Sequence, residues 1–292
     1  MKTYNFLIGT DPEFGIIDRS NFAYPPVQLV KKERIPVEDN LEKPDHWIFS
    51  KLVKPKTLLH MDGSALELEI MPSKHPAQLW ENLQVGIELI DNLLKPYSYL
   101  KRSELPTLPW DINKYTLKNM GPQFIHLTRF GCDADFDAYS DNKKQDEEDA
   151  EKHPYRYFGG HIHLGVPTKL KEKTKELPDI LAIICSVYWG NLCTSRTLYD
   201  EEERLRLYRY GKPGRFRPQP HGIEYRSPSN SWVTNINTIK EIYESANYIL
   251  NAFDNEKIGR DIFDLSENTF KAITTFDKEE CNKLYNEALR IC

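Results

Sequence analysis

The 292-residue chain contains no C-x-x-C pair. Its five cysteines, Cys132, Cys185, Cys193, Cys281 and Cys292, are scattered and odd in number. That argues against a disulfide framework or a cysteine zinc site, and it fits a reducing cytoplasm. Cys185 and Cys193 fall in an apolar, helix-like stretch, where a cysteine reads as a small core residue. No apolar run approaches the roughly 18 residues a membrane-crossing helix needs. The longest lies near Leu181 to Val187. The opening residues turn acidic by Asp11 without a long apolar segment, so no signal peptide is expected. There is no excess of positive charge. The formal net charge is −5, so no overall basic field draws the chain to nucleic acid or to an anionic membrane. Neither G-x-G-x-x-G nor G-x-x-x-x-G-K-[ST] occurs, which disfavours a doubly wound nucleotide fold. No repeat and no Pro/Gly-rich linker divides the sequence, so residues 1–292 are expected to form one domain.

What is present is an ordinary globular composition, 39% hydrophobic and 28% charged, enough to bury a sizeable core. Tyr4 to Ile17 reads as a strand interrupted at Asp11-Pro12. Leu58 to Ile70 reads as a hairpin around Asp62-Gly63. Ser73 to Lys95 predicts a helix: Pro76 suits its first turn, Ser73 is a cap candidate, and Leu79, Leu83, Ile87, Ile90 and Leu94 form a stripe. Glu104 to Pro109 is an edge strand or a loop. The charge run Asp141 to Lys152 reads as a solvated loop or helix end. Tyr155 to Val166 is expected as one strand, Asp179 to Tyr199 as a buried helix, and His221 to Arg226 as a short strand. Ile236 to Phe253 and Lys278 to Ile291 are expected as helices. Strands and helices do not alternate strictly, so the fold class is α+β with an antiparallel sheet.

Four of these segments share one feature. Residues two apart on a strand share a face. Asp11 and Glu13 do so in TDPEFG, Glu67 and Glu69 in ALELEI, His161 and His163 in FGGHIHLG, and Glu224 and Arg226 in GIEYRS. Alternation alone is what any half-exposed strand shows. If the four strands are neighbours, however, one face carries five carboxylates, two histidines and an arginine. Such carboxylates repel unless cations intervene, and an oxygen-rich set suits Mg²⁺ or Mn²⁺ better than zinc. Glycines like those beside His161 and His163 often mark close approach of a ligand or of another backbone. Just upstream, Arg204, Arg206, Arg209, Lys212, Arg215, Arg217 and Arg226 fall within 23 residues. A solvated basic loop is the plain reading. In an acidic protein, beside the Glu224 strand, this density also suggests phosphate binding by arginine forks. Nothing resembles a nucleic-acid reader.

Taken in order, GTDPEFG, the D-G-x-x-x-E of Asp62 to Glu67, GCDADFDAY, GGHIHLG and YGKPGRFRPQPHGIEYRSPSNSW resemble the phage-type carboxylate–amine ligases. These are also called COOH–NH₂ ligase type 2, within the glutamine synthetase-like superfamily. The resemblance runs from about residue 6 to 235, and the C-terminal helices carry no assignable motif. It implies a strongly curved antiparallel sheet with flanking helices, whose concave face holds Mg²⁺ (or Mn²⁺) and ATP. It implies metal ligation by Glu13, Glu67 (or Glu69), His161 and Glu224. Arg209, Lys212, Arg215, Arg217 and His163 are the candidate nucleotide contacts, and Arg226, Arg217 and His163 the candidate catalytic residues. Family members often carry C-D-P-D-F where this chain reads Cys132-Asp-Ala-Asp-Phe136, which leaves the role of Asp133 and Asp135 open.

The implied activity joins a small-molecule or peptide carboxylate to an amine through an acyl phosphate. His163, Asp11 or a carboxylate near Asp133 would be the general base. A metal-dependent phosphoester or amide hydrolase, or a non-catalytic phosphate-binding module, would use the same residue types.

Overall fold

The structure is a computed structural model that describes residues 4–26, 28–29, 47–50, 57–121, 135–140 and 150–291. Cys132, Asp133, Cys292 and most of the 141–152 charge run lie outside the described residues. It is a mixed α+β architecture built on a large antiparallel sheet. The strands are β1 (Leu7–Thr10), β2 (Glu13–Ile17), β3 (Trp47–Ser50), β4 (Thr57–Asp62), β5 (Ala65–Ser73), β6 (Lys101–Ser103), β7 (Thr107–Pro109), β8 (Phe136–Asp137), β9 (Tyr155–Tyr157), β10 (Ile162–Gly165), β11 (Arg215–Gln219) and β12 (Gly222–Tyr225). Among the described residues the main sheet runs β3-β4-β5-β1-β10-β12-β11-β8, with β2 joining β5 to β6. The second sheet pairs β7 with β9.

The four strands with like-faced polar pairs therefore meet. β5, β1, β10 and β12 are consecutive, and β2 leaves β1 at Asp11-Pro12 to pair again with β5. Proline breaks the ladder there because it has no N–H to donate. The hairpin forms as expected, with Gly63 and Ser64 as its two loop residues and Gly63 at φ 52°. Glycine takes that backbone at little cost.

The opposite face of the sheet is apolar. Ile8, Leu66, Leu68, Ile70, Ile162, Leu164, Ile223 and Tyr225 are buried in one cluster with residues of the helices. Helix α1 (Pro76–Leu94) lays Leu79, Leu83, Ile90 and Leu94 onto this face. Each such side chain contributes about 1.5–3 kcal/mol by leaving water. Its N-cap is His75, not Ser73. Ser73 is the last residue of β5, and its Oγ accepts from the His75 N–H at 3.0 Å, closing the strand-to-helix turn.

The apolar helix of the middle region is α2 (Pro178–Cys185), a π-turn over Ser186–Gly190, and α3 (Asn191–Arg196). Cys185, Cys193 and Cys281 are buried in the core. Helix α4 (Asp200–Leu207) was not expected, because it is charged on every side and shows no apolar stripe. Four acidic residues in its first turn suit the helix dipole. Helices α5 (Ile236–Asp254) and α8 (Lys278–Ile291) match the expected segments, and α6 (Glu256–Phe263) and α7 (Ser266–Thr274) lie between them. Among the described residues no single helix is long and apolar enough to cross a membrane.

One expectation is corrected. Tyr155 to Val166 is not a single strand: β9 and β10 belong to different sheets. The break is Gly159-Gly160, where residues 228–232 cross the chain. Gly160 N–H donates to the Pro228 carbonyl at 3.0 Å, and the Trp232 indole N–H donates to the Gly160 carbonyl at 2.6 Å. A Cβ on Gly160 would sit 2.4 Å from the Ser229 carbonyl oxygen. This glycine thus admits a neighbouring backbone rather than a nucleotide. Gly160→Ala is expected to cost about 1–3 kcal/mol. A urea melt checks this, and a midpoint equal to wild type would contradict the tight crossing.

Candidate functional site

The polar face of the sheet gathers two groups of carboxylates. In the first, Asp11 leaves the end of β1, His161 precedes β10, and Glu224 lies on β12. One ligand atom from each lies within 4.8 Å of the others. His161 Nδ1 is 3.1 Å from Asp11 Oδ1 and 3.5 Å from Glu224 Oε1. His163 Nε2 is 3.2 Å from the other Asp11 oxygen. His163 and Glu224 are register partners across β10 and β12, so their shared face follows from the pleat.

The second group is Glu13 of β2, Asp62 of β4 and Glu67 of β5, again with ligand atoms within 4.8 Å. Glu13 and Glu67 are direct register partners. Like charges in that position destabilise a sheet unless something positive sits between them. Glu13 Oε2 accepts from the Gly159 N–H at 2.6 Å, and the Asn230 amide donates to the Glu13 carbonyl at 2.8 Å. The chain crossing that splits β9 from β10 therefore also fixes Glu13. His60, the register partner of Glu67, places Nε2 2.9 Å from its carboxylate.

The electrostatics of the two groups differ. Around Glu224, positive partners are at hand. Burial pushes its pKa up, but the Arg226 guanidinium and His161 outweigh that and hold it below the usual range. Asp11 behaves alike: burial raises it, and His161 and His163 draw it well below. For His163, burial favours the neutral ring, yet Asp11 and then Glu224 hold its pKa above the usual value. In the other group burial raises Asp62 well above the carboxylate range, and Glu67 and Glu13 push it further. Glu67 is likewise raised, first by burial and then by Asp11, Glu13 and Glu69. So Glu13, Asp62 and Glu67 form the group in which negative charge is least compensated. Among the described residues these are the places where the donor chemistry fits a divalent cation.

Each expected site residue can now be located. Of the four residues expected as metal ligands, His161 and Glu224 fall in the first group and Glu13 and Glu67 in the second. Glu69 does not join them: its side chain is 59% exposed, and its carboxylate faces His60 Nδ1 at 3.4 Å. It lies one pleat further along β5, beside Leu58 rather than His60 in register. Arg226 is buried and bound to Glu224 in an ion pair. It also donates to the Tyr210 hydroxyl at 3.0 Å and places Nε 3.5 Å from Asp135. Arg215, expected at a phosphate, instead pairs with Asp135 at 3.5 Å and Asp137 at 3.1 Å. Arg217 reaches Glu224 at 3.6 Å from a partly exposed position. Arg209 is partly exposed and Lys212 exposed. Arg206 is structural, donating to the Ser227 and Pro228 carbonyls at 2.8 and 3.1 Å.

Residues outside the expected set complete the site. Asp62 was read as a turn signal and as the start of the D-G-x-x-x-E motif but not as a ligand, and His60 was not read at all. Yet H-M-D on β4 carries the same two-apart polar pattern as the other strands. Tyr210 touches both His161 and Arg226. Gln219 donates to Glu224 at 2.7 Å. Asp135, whose role the C-D-A-D-F motif left open, braces Arg215 and Arg226.

Residues 149–290 match the model of the family described as phage phiEco32-like COOH.NH2 ligase-type 2. Over that span the chain is similar to this family, whose description is that of carboxylate–amine ligases. The match holds the GGHIHLG and EYR motifs and continues through α5 to α8, helices in which no motif was legible. No curated protein matches the chain.

The charge imbalance gives a direct expectation. In buffer with chelator, Glu67→Gln should stabilise the fold by about 1 kcal/mol, because it relieves a buried like-charge contact. Added Mn²⁺ should raise the melting midpoint of wild type clearly more than that of the variant, which keeps only the Asp11/His161/Glu224 group intact. Equal Mn²⁺ responses in thermal melts would show that this cluster does not take the cation.

Proposed function

From the match of residues 149–290 to a carboxylate–amine ligase family, we propose that the chain joins a carboxylate to an amine at the expense of ATP, through an acyl phosphate. The observation that carries the reading is the pair of acidic groups on one sheet face, Asp11/His161/Glu224 and Glu13/Asp62/Glu67. Arg217 of β11 and Arg226, which follows β12, border the first. In this reading that face is the concave side of a glutamine synthetase-like sheet.

The two acidic groups would hold Mg²⁺ or Mn²⁺. Bound there, the cations would offset the negative charge that builds during phosphoryl transfer. The chain's own residues supply the rest. Arg217, Arg209 and Lys212 are the cationic side chains with solvent access, and they suit the phosphate oxygens of the nucleotide. Arg226 is buried among Glu224, Asp135 and Tyr210. It therefore serves first to fix Glu224 and to keep positive charge at the centre of the site. A carboxylate oxygen of the substrate attacks the γ-phosphorus, and ADP leaves. The amine then attacks the acyl carbon, and phosphate leaves carrying the oxygen that came from the carboxylate. His163, held by Asp11 with its pKa raised, suits holding a proton against a phosphate oxygen.

That oxygen transfer is the test. The protein is incubated with Mg-ATP, an amine pool and carboxylates labelled with ¹⁸O, and the released phosphate is analysed by mass spectrometry. One ¹⁸O per phosphate, with ADP and amide formed in step, is the expected result. Unlabelled phosphate would exclude the acyl phosphate. Phosphate released without any need for an amine would favour a hydrolase.

A further inference from the structure

Tyr210 ties three features together. Its hydroxyl lies 3.1 Å from His161 Nε2 and accepts from Arg226 Nη2 at 3.0 Å. Its ring lies 4.8 Å from the Arg206 guanidinium. Its backbone N–H donates to the Arg206 carbonyl at 2.7 Å. Arg206 is itself fully buried and anchored on the Ser227 and Pro228 carbonyls. The next residue, Gly211, has φ 81°, and a Cβ there would lie 2.0 Å from Arg206 Nη1. The end of α4 and the turn after it therefore fix where the Tyr210 hydroxyl sits.

We propose that Tyr210 is a positioning residue for His161, presenting its Nδ1 to a divalent cation shared with Asp11 and Glu224. This rests on the metal-dependent ligase reading above. The reasoning follows from the two ring nitrogens. Nδ1 faces Asp11 at 3.1 Å, Glu224 at 3.5 Å and Arg226 Nη1 at 3.4 Å. Nε2 faces the Tyr210 hydroxyl. With no cation, a proton on Nδ1 makes the shorter, charge-assisted bond to Asp11, and the Tyr210 O–H donates to Nε2. With a cation on Nδ1, the ring proton must sit on Nε2, and the Tyr210 oxygen then accepts it. A hydroxyl serves both states because the same oxygen can donate or accept, whereas an ammonium in its place could only donate. Partners of this kind fix the tautomer and orientation of a ligating histidine, and removing them typically costs about 10–100-fold in metal affinity.

The test uses Tyr210→Phe, which keeps the ring over Arg206 and removes only the hydroxyl. Mn²⁺ binding to the full chain is followed by electron paramagnetic resonance, with Glu224→Gln as the reference variant. Tyr210→Phe should weaken Mn²⁺ about 10-fold or more. In ¹⁵N-histidine NMR spectra of wild type saturated with Mg²⁺, the His161 proton should lie on Nε2. Wild-type Mn²⁺ affinity in Tyr210→Phe, or a proton that stays on Nδ1 in Mg²⁺, would overturn the assignment. If Tyr210→Phe alone keeps wild-type affinity while Glu224→Gln loses it, the Tyr210 role fails and the metal site stands. If neither variant loses affinity, the metal reading fails and takes the Tyr210 role with it.

Discussion

The structure turns on the repulsion between carboxylates gathered on one face of the sheet. Glu13 and Glu67 lie directly opposite each other in register, and Asp62 joins them. A sheet chosen for stability alone would put a cation or an apolar residue at one of those places. Here the cost is met by a heavily buried apolar face beneath the same strands and, at Glu13, by the Gly159 N–H that holds its carboxylate. The arrangement makes sense as a site prepared for charges that arrive from outside.

Its neighbour, built on Asp11, His161 and Glu224, is already balanced by Arg226 and the histidines. The contrast separates two jobs. One group is organised around a resident arginine and poised next to the basic segment. The other is left short of positive charge. Several residues that enforce this are remote in sequence from the group they brace: Asp135 from Arg226, Tyr210 from His161 and Asn230 from Glu13.

Much of this was legible in the sequence, and the reason is periodicity. A two-residue repeat fixes which side chains share a face, and the same polar pattern on four strands pointed to a common surface. The assumption that those strands are neighbours was the one step the pattern could not supply, and the sheet order supplies it. What escaped had no periodic signal. The α4 helix is polar on every side. The split between β9 and β10 depends on a distant segment crossing at Gly160. Asp62 and His60 were hidden by a turn signal that was also correct. Arg215 and Arg226 were expected at phosphates because a basic run shows charge but not partners. The aspartates that hold them are some 80 residues away.

The account's central claim is that the two acidic groups on this face bind divalent cation with nucleotide. The most direct measurement is Mn²⁺ binding in the presence of a non-hydrolysable ATP analogue, compared between wild type, Glu13→Gln and Glu224→Gln. Each variant removes one carboxylate from one group. Both should bind Mn²⁺-nucleotide at least about 10-fold more weakly than wild type, as expected for loss of a charged ligand. Binding by both variants as tight as that of wild type would contradict the claim.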